Sequence, residues 1–228
     1  ANTNAQANTQ AGLINIKTDV LNLIVSTQGG DVVEASLPTY PISLDQKDQA
    51  TRILDLNGKN YVAQSGLLHQ VIAGQATENL APNHQALYQA AQTNYVLAEG
   101  QQEIVVPLTW QSPNGIVVTK RYVFQRGSFN VKVEHEVQNN SNQLWSGSEY
   151  RQLKHGPHIA TGSLLTGVQA YVGGAYYYDD KYTKVGFEDM ETTPLALTTN
   201  GGWVAMLQHY FVSAWIPDQQ QQTHYYSK

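Results

Sequence analysis

The chain has 228 residues, a formal net charge of -5 and only 14% charged side chains, so neutral polar residues must cover most of its surface. This acidic balance argues against a nucleic-acid-binding protein, which would need a basic stripe, and it gives no attraction to anionic lipid. The chain contains no cysteine, which rules out a disulfide framework and thiol chemistry. All-β domains of this length are commonly single.

The first elements in chain order are a polar tether and two strands. Residues 1–12 are Ala, Asn, Thr, Gln and Gly with nothing to bury, and they predict a disordered tether. Residues 20–27 alternate apolar and polar side chains, which predicts a strand. A turn at residues 29–31 leads to a second strand over residues 32–37. The Leu-Pro-Thr-Tyr-Pro sequence at residues 37–41 is expected to end it, because proline cannot donate a hydrogen bond to a sheet.

The clearest strand pattern lies in the middle of the chain. Residues 104–110 and 116–125 flank a Ser-Pro-Asn-Gly sequence at residues 112–115 that is typical of a tight turn. A further turn leads to residues 129–137, whose polar face is expected to meet solvent. The opposite face is predicted to pack on the core and consists of Phe129, Val131, Val133, His135 and Val137. These three segments predict an antiparallel meander.

Residues 82–92 are the only segment that favours a helix, with Asn83 at the N-cap position and Leu87 and Ala90 at helical spacing. Strand patterns separated by turn residues fill the rest of the chain. The predicted fold is therefore all-β: a sandwich of antiparallel sheets with at most short helices, formed as a single domain by residues 13–228.

A nearly apolar run without charged side chains covers residues 201–217. Its length approaches the roughly 20 residues that a membrane helix needs. Gln208 and His209 at its centre and Pro217 at its end argue against a span, and its β-branched and aromatic residues favour one or two buried strands.

The histidines are the main candidates for chemistry. His155 and His158 lie three residues apart with Glu149 nearby in sequence, which could begin a metal site, but no third ligand is evident and Gly-Pro between them favours a loop. His135 and His209 lie in apolar surroundings, where a structural histidine is the usual case. We therefore expect no catalytic residue, no metal and no cofactor.

A cluster of tyrosines follows the glycine pair Gly173-Gly174, which is expected to bend or bulge the strand. Exposed tyrosines are good contact residues because they are rigid and amphipathic. The cluster predicts a partner-contact surface that docks a protein or stacks on a sugar, with Tyr176 and Tyr178 on one face of the strand and Tyr177 on the other. The alternative is that half of the rings are buried and the rest only cover the sheet. The members of the cluster are Tyr171, Tyr176, Tyr177, Tyr178 and Tyr182.

Many short blocks, in one collinear order from about residue 13 to residue 217, resemble the large periplasmic domain of bacterial membrane protein insertases of the YidC family. The strongest block is residues 201–217. The other blocks are residues 17–21, 29–31, 37–41, 64–67, 95–100, 120–127, 137–139, 152–154 and 174–176.

This resemblance implies a β-supersandwich related to the galactose-mutarotase-like fold. It also implies a piece of a longer inner-membrane protein of a Gram-negative bacterium. In such proteins a first transmembrane helix precedes this domain, and a helical membrane core that performs insertion follows it. The resemblance implies that the chain lacks closing strands at its C-terminal end.

Three functions compete. The first is a non-enzymatic accessory domain of an insertase and chaperone, with the Sec translocon, its accessory subunits and nascent inner-membrane proteins as partners. The second is a carbohydrate-binding or mutarotase-like sugar-converting domain, which would need a positioned acid and base in an open cleft. No such pair is evident in the sequence, which favours the first function. The third is a structural spacer.

Overall fold

The computed structural model describes residues 11–70, 80–156, 171–208 and 210–228. The chain divides into two compact units: Ala1–Leu56 with Val62–Arg151, and Asn57–Tyr61 with Gln152–Lys228. Most of the predicted tether lies outside the described residues, and the backbone N–H of Gly12 donates to Thr27 Oγ1 at 2.7 Å. That the two units form a single domain stays a prediction.

The described residues of the first unit form eleven strands, the last of which runs past its boundary. In chain order they are β1 (Leu13–Lys17), β2 (Asn22–Ser26), β3 (Val32–Pro41), β4 (Ala50–Asp55), β5 (Val62–His69), β6 (Gln89–Ala90), β7 (Asn94–Val96), β8 (Glu103–Gln111), β9 (Ile116–Gln125), β10 (Val131–Asn139) and β11 (Gly147–Lys154).

These strands form two sheets. A seven-stranded sheet has the order β11-β5-β3-β2-β1-β7 with β4 paired to β3, and a four-stranded sheet has the order β10-β9-β8-β6. Alternate side chains of both sheets are withdrawn from solvent, as a two-layer core requires. The core includes Ile14, Val25, Leu108, Tyr122 and Phe124, none more than 1% exposed.

The β2–β3 connection confirms one prediction and corrects another. Gly29 and Gly30 have φ angles of 72° and 60°, so the glycine turn is real. Strand β3 does not end at Leu37 as expected but continues through the Leu-Pro-Thr-Tyr-Pro segment to Pro41. The ladder to β4 accommodates Pro38, because its register shifts between Leu37 and Pro41.

The predicted meander is confirmed by the continuous antiparallel pairing of β8 with β9 and of β9 with β10. Phe129 is an exception, since it precedes β10, is 48% exposed and packs edge-on against Tyr40 instead of the core. Strand β9 buries alternate residues, and one of these is a lysine, Lys120.

The helix predicted over residues 82–92 is wrong. The Asn83 side chain closes a turn by accepting from the backbone N–H of Gln85 at 2.8 Å. Tyr88 is buried in the core, and its backbone N–H donates to Thr27 O at 2.8 Å. Tertiary pairing of this segment therefore overrides its weak helical spacing.

In the part of the second unit that the structure describes, six further strands form two sheets. They are β12 (Val172–Tyr178), β13 (Lys181–Val185), β14 (Ala196–Asn200), β15 (Trp203–Gln208), β16 (Phe211–Trp215) and β17 (Gln222–Tyr226). One sheet has the order β13-β12-β15-β16, and β14 pairs with β17 in the other. The helices among the described residues of the chain are α1 (Leu56–Lys59) and α2 (Phe187–Thr192).

The apolar run at residues 201–217 forms the β15–β16 hairpin, which confirms strands over a membrane helix. It is less buried than predicted, because only Ala205 and Met206 among its described strand residues are buried. Among the described residues, neither helix has the length or apolar character to cross a bilayer. The all-β prediction with short helices is confirmed.

Candidate partner-contact surface

The tyrosine-rich segment folds into the β12–β13 hairpin. Tyr178 pairs with Lys181, so the connecting loop is the two residues Asp179 and Asp180. Both have positive φ angles, 51° and 55°, which is the geometry of a type I′ turn usually made by Asn-Gly. The turn thus holds two carboxylates at the tip of the hairpin.

Three aromatic side chains share one face of this sheet, because Tyr177 pairs with Tyr182 on one side and with Trp203 on the other. The Tyr177 and Trp203 rings lie nearly parallel, 8° apart, with centroids separated by 5.8 Å. The ring centroids of Trp203 and Tyr182 are 6.1 Å apart. We call Tyr177, Tyr182 and Trp203 the aromatic face.

The aromatic face remains open to solvent. Tyr182 is 46% exposed, while Tyr177 and Trp203 are half-buried. The Tyr177 hydroxyl donates to Asp180 Oδ1 at 2.8 Å, and this hydrogen bond together with the carboxylate charge raises the pKa of the phenol. The surface therefore presents aromatic ring faces and hydroxyl groups beside a carboxylate.

The other predicted contact residues, Tyr171, Tyr176 and Tyr178, are not part of the aromatic face. Tyr176 and Tyr178 point to the opposite side of β12, and Tyr178 is 37% exposed. The Tyr171 hydroxyl donates to Gly174 O at 2.9 Å, and the Lys184 ammonium lies 4.6 Å from its ring centroid. The sequence predicted this separation of Tyr176 and Tyr178 from Tyr177, but it assigned Trp203 to a separate buried run.

Gly173 and Gly174 do not bulge the strand, which corrects the sequence-based expectation. Strand β12 pairs with β15 without a register shift through both positions. A Cβ atom at Gly173 would lie 2.6 Å from the Tyr171 hydroxyl oxygen, so the absence of a side chain permits close packing.

A buried polar cluster that the sequence analysis missed lies in the first unit. The Lys120 ammonium is fully buried and donates to Gly29 O and Ser65 O, each at 3.0 Å, with Asp31 Oδ1 at 3.9 Å. Burial lowers the pKa of Lys120 to about 8, although Asp31 and Glu149 oppose the shift. Burial also raises the pKa of Asp31, against the effects of Lys120 and Gln64. Alternation along β9 was the signal that could have placed Lys120 inside.

His135 neighbours this cluster, because it pairs with Lys120 across β9 and β10. Its side chain is 3% exposed, and its Nδ1 lies 2.9 Å from Glu149 Oε1. Arg151 bonds the other carboxylate oxygen at 2.8 Å. Glu149 is therefore the partner of His135. The sequence had instead placed it near the loop that contains His155 and His158. The His135–Glu149 pair links β10 of one sheet to β11 of the other.

Burial sets the His135 pKa and competes with other effects at Glu149. Burial lowers the pKa of His135, the Glu149 hydrogen bond opposes this shift, and the positive charge of Lys120 adds to it. Burial alone would raise the pKa of Glu149, but the hydrogen bond with His135 and the charge of Arg151 outweigh it and lower the pKa.

The remaining histidine candidates are only partly described. His155 Nδ1 lies 2.6 Å from Gly156 O, and its ring packs against Tyr61 with centroids 4.9 Å apart. His158 and His209 lie outside the described residues. Within the described ranges, no group of three or more His, Cys, Asp or Glu side chains could hold a metal ion.

A polar depression of about 400 Å³ lies on the outer side of β1, β2, β3 and β7 in the first unit. Its polar lining includes three amide side chains beside Lys17 and Glu34, and the Asn15 amide donates to Asn94 Oδ1 at 3.3 Å. Asn22 Oδ1 is buried and has no hydrogen-bond partner among the described residues. This depression is a second candidate surface.

A family model described as the YidC periplasmic domain matches residues 13–228. Among the curated relatives that match are proteins named "Membrane protein insertase YidC". The one from Thioalkalivibrio sulfidiphilus is 45% identical over 94% of this chain and 38% of its own length. Those from Methylococcus capsulatus and Aeromonas hydrophila are 38% and 41% identical, each over 98% of this chain and 40% of the relative. The chain thus spans 38% to 40% of the length of these curated relatives.

Proposed function

This chain belongs to the family of YidC periplasmic domains, and from that premise we propose that it is a non-enzymatic accessory domain of a membrane protein insertase and chaperone. Its parent protein assists the insertion and folding of inner-membrane proteins, with or without the Sec translocon. The observation that carries this proposal is the family match over residues 13–228.

The proposed location is the periplasmic face of the inner membrane of a Gram-negative bacterium, where helices of the parent protein hold the domain. The proposed partners are the Sec translocon, its accessory subunits and nascent inner-membrane proteins. Neither a nucleic acid nor a cofactor takes part in this proposal, and the net charge of -5 accords with the absence of a nucleic-acid role.

We further propose that the aromatic face is part of the partner-contact surface. Tyr182 and Trp203 present rigid apolar area at little entropic cost, and residues of this type dominate the binding energy of many interfaces. The exposed fraction of 46% at Tyr182 means that this ring has much of its area left to bury. Tyr178 would belong to a separate contact, since it lies on the other side of the strand.

The variant Tyr182→Ala in the full-length parent insertase tests this proposal. Loss of an aromatic anchor at an interface centre costs about 2 kcal/mol or more, so crosslinking to Sec subunits should fall markedly. Tyr226→Ala is the matched control, because Tyr226 is 54% exposed but lies on the β14–β17 sheet. Melting midpoints of both variants should stay close to that of the unmodified protein.

Normal crosslinking by a stably folded Tyr182→Ala protein would argue for the spacer function. Equal loss of crosslinking in Tyr182→Ala and Tyr226→Ala would show that the aromatic face has no special role. A large drop in the melting midpoint of Tyr182→Ala would mean that the ring serves folding instead of binding.

Carbohydrate binding is the alternative function. The polar depression supports it, because amide groups are common hydrogen-bond partners of neutral polar ligands. Sugar conversion is less well supported: His135 and Glu149 form a possible acid–base pair, but the His135 side chain is only 3% exposed. Titration of the parent protein with galactose or glucose, followed by NMR of the Asn22 amide, tests the alternative. No shift up to high millimolar sugar would remove it.

A further inference from the structure

Strand β10 is joined to the opposite sheet by a histidine side chain, His135, that can take up a proton. It lies at the edge of the four-stranded sheet and pairs only with β9 in the described part of that sheet. On its inner side, the contact between His135 Nδ1 and Glu149 Oε1 at 2.9 Å joins it to β11 of the other sheet. This bond is formed by a group whose charge changes near neutral pH.

The charges around His135 are balanced only when its ring is neutral. On this inner face, β9 contributes Lys120, β11 contributes Glu149 and Arg151, and the β2–β3 turn contributes Asp31. These are two cations and two anions. Glu134 and Glu136 of β10 point to the outer face, where both bond Arg121. A proton on His135 would therefore add an uncompensated positive charge in a buried site.

The hydrogen bonds of the two ring nitrogens also favour the neutral form of His135. With Nδ1–H donating to Glu149, the second ring nitrogen must be unprotonated in the neutral form. That atom, Nε2, is buried and has no hydrogen-bond partner among the described residues. Protonation would create a charged donor there without an acceptor from the described chain, which is costly in a site shielded from water.

We propose that His135 is a proton-sensitive fastener between the two sheets of the first unit: the neutral ring holds β10 against β11, and its protonation releases the edge strand. The direction follows from linkage. Because the folded-state pKa of His135 lies below its ordinary value of 6.5, the unfolded or opened state binds the proton more readily. The stability contributed by the neutral ring is complete above the ordinary pKa and is lost as pH falls below it.

Hydrogen exchange of the full-length parent protein, read by mass spectrometry at about pH 7.5 and about pH 5.5, tests the fastener. After correction for intrinsic exchange rates, peptides covering Val131–Asn139 should exchange several-fold faster at the lower pH. His135→Gln should abolish this acid response, because an amide can bond Glu149 but does not titrate. His224→Gln is the control, since His224 is exposed in the second unit, and it should keep the full response.

Glu149→Gln supplies a second test that does not remove the histidine. It removes the negative charge that favours protonated His135, so the acid response of β10 should become larger. The fastener is refuted if β10 exchange is the same at both pH values in the unmodified protein. It is equally refuted if folded His135→Gln protein keeps the full acid response. If His135→Gln does not fold, an unchanged or smaller response in Glu149→Gln refutes it instead.

Discussion

Lys120 is a buried lysine that hydrogen-bonds backbone carbonyl groups in the interior of the sandwich. Its side chain leaves the four-stranded sheet and bonds the carbonyl groups of Gly29 and Ser65, which belong to the β2–β3 turn and to β5. The Tyr122 hydroxyl bonds the adjacent Gly30 carbonyl. These contacts satisfy backbone groups of a glycine turn that the core would otherwise leave unpaired.

We expect Lys120→Met to destabilise the protein by about 3–5 kcal/mol, because it leaves Asp31 buried without its cation. Adding Asp31→Asn should recover part of this loss, since the amide is neutral. Urea unfolding of the two variants and the unmodified protein checks both statements. A double variant no more stable than Lys120→Met would show that the two residues do not act together.

The lowered pKa of Lys120 predicts an unusual dependence of the free energy of unfolding on pH. The folded-state pKa of about 8 lies below the ordinary value of 10.5, so the unfolded chain binds the proton more tightly in this range. Stability should therefore rise as pH increases from about 8 to about 9.5, and Lys120→Met should lack this rise. Unfolding measured across this interval tests it, and parallel pH profiles for the two proteins would contradict it.

At the scale of elements, strands were predictable where alternation and turn residues agreed. The meander at residues 104–137 met this condition. The hairpin at residues 201–217 was predictable only as strand, from its β-branched and aromatic composition. The segment at residues 82–92 did not meet the condition, because its spacing is weak and the burial of Tyr88 depends on distant partners. The Tyr177–Trp203 stack was also beyond sequence reasoning, since it requires the register between two strands far apart in the chain.

The β15–β16 hairpin allows a prediction about Trp203. Full truncation of a buried aromatic residue costs about 3–5 kcal/mol, but this ring is only half-buried between Tyr177 and Tyr182. We therefore expect Trp203→Ala to cost about 2 kcal/mol, and Val212→Ala, at a site 56% exposed, to cost about 0.5 kcal/mol or less. Thermal unfolding of both variants is the measurement. A negligible effect of Trp203→Ala would show that the rings do not support the sheet.

At the scale of the whole molecule, the two compact units are interleaved along the chain. Residues 57–61 belong to the second unit but lie between two segments of the first, and β11 runs through the boundary after Arg151. A chain that crosses the boundary several times is poorly suited to independent domains, which usually meet at one flexible linker. This supports the proposal that residues 13–228 form one domain.

Calorimetry of residues 1–228 should accordingly give a single cooperative transition, with equal calorimetric and van't Hoff enthalpies. Two separate transitions, or a van't Hoff enthalpy well below the calorimetric value, would show that the units unfold independently. Lys120→Met would then lower only one of the two midpoints.

The aromatic face can be tested as a contact surface without removing any ring. A photoreactive p-benzoylphenylalanine at position 182 of the full-length insertase keeps an aromatic side chain at a site 46% exposed. The same residue at position 226, 54% exposed on the β14–β17 sheet, serves as the reference. We expect irradiation in cells to crosslink position 182 to Sec subunits and position 226 to give no such product. Equal crosslinking at the two positions, or none at 182, would contradict a partner-contact role for this surface.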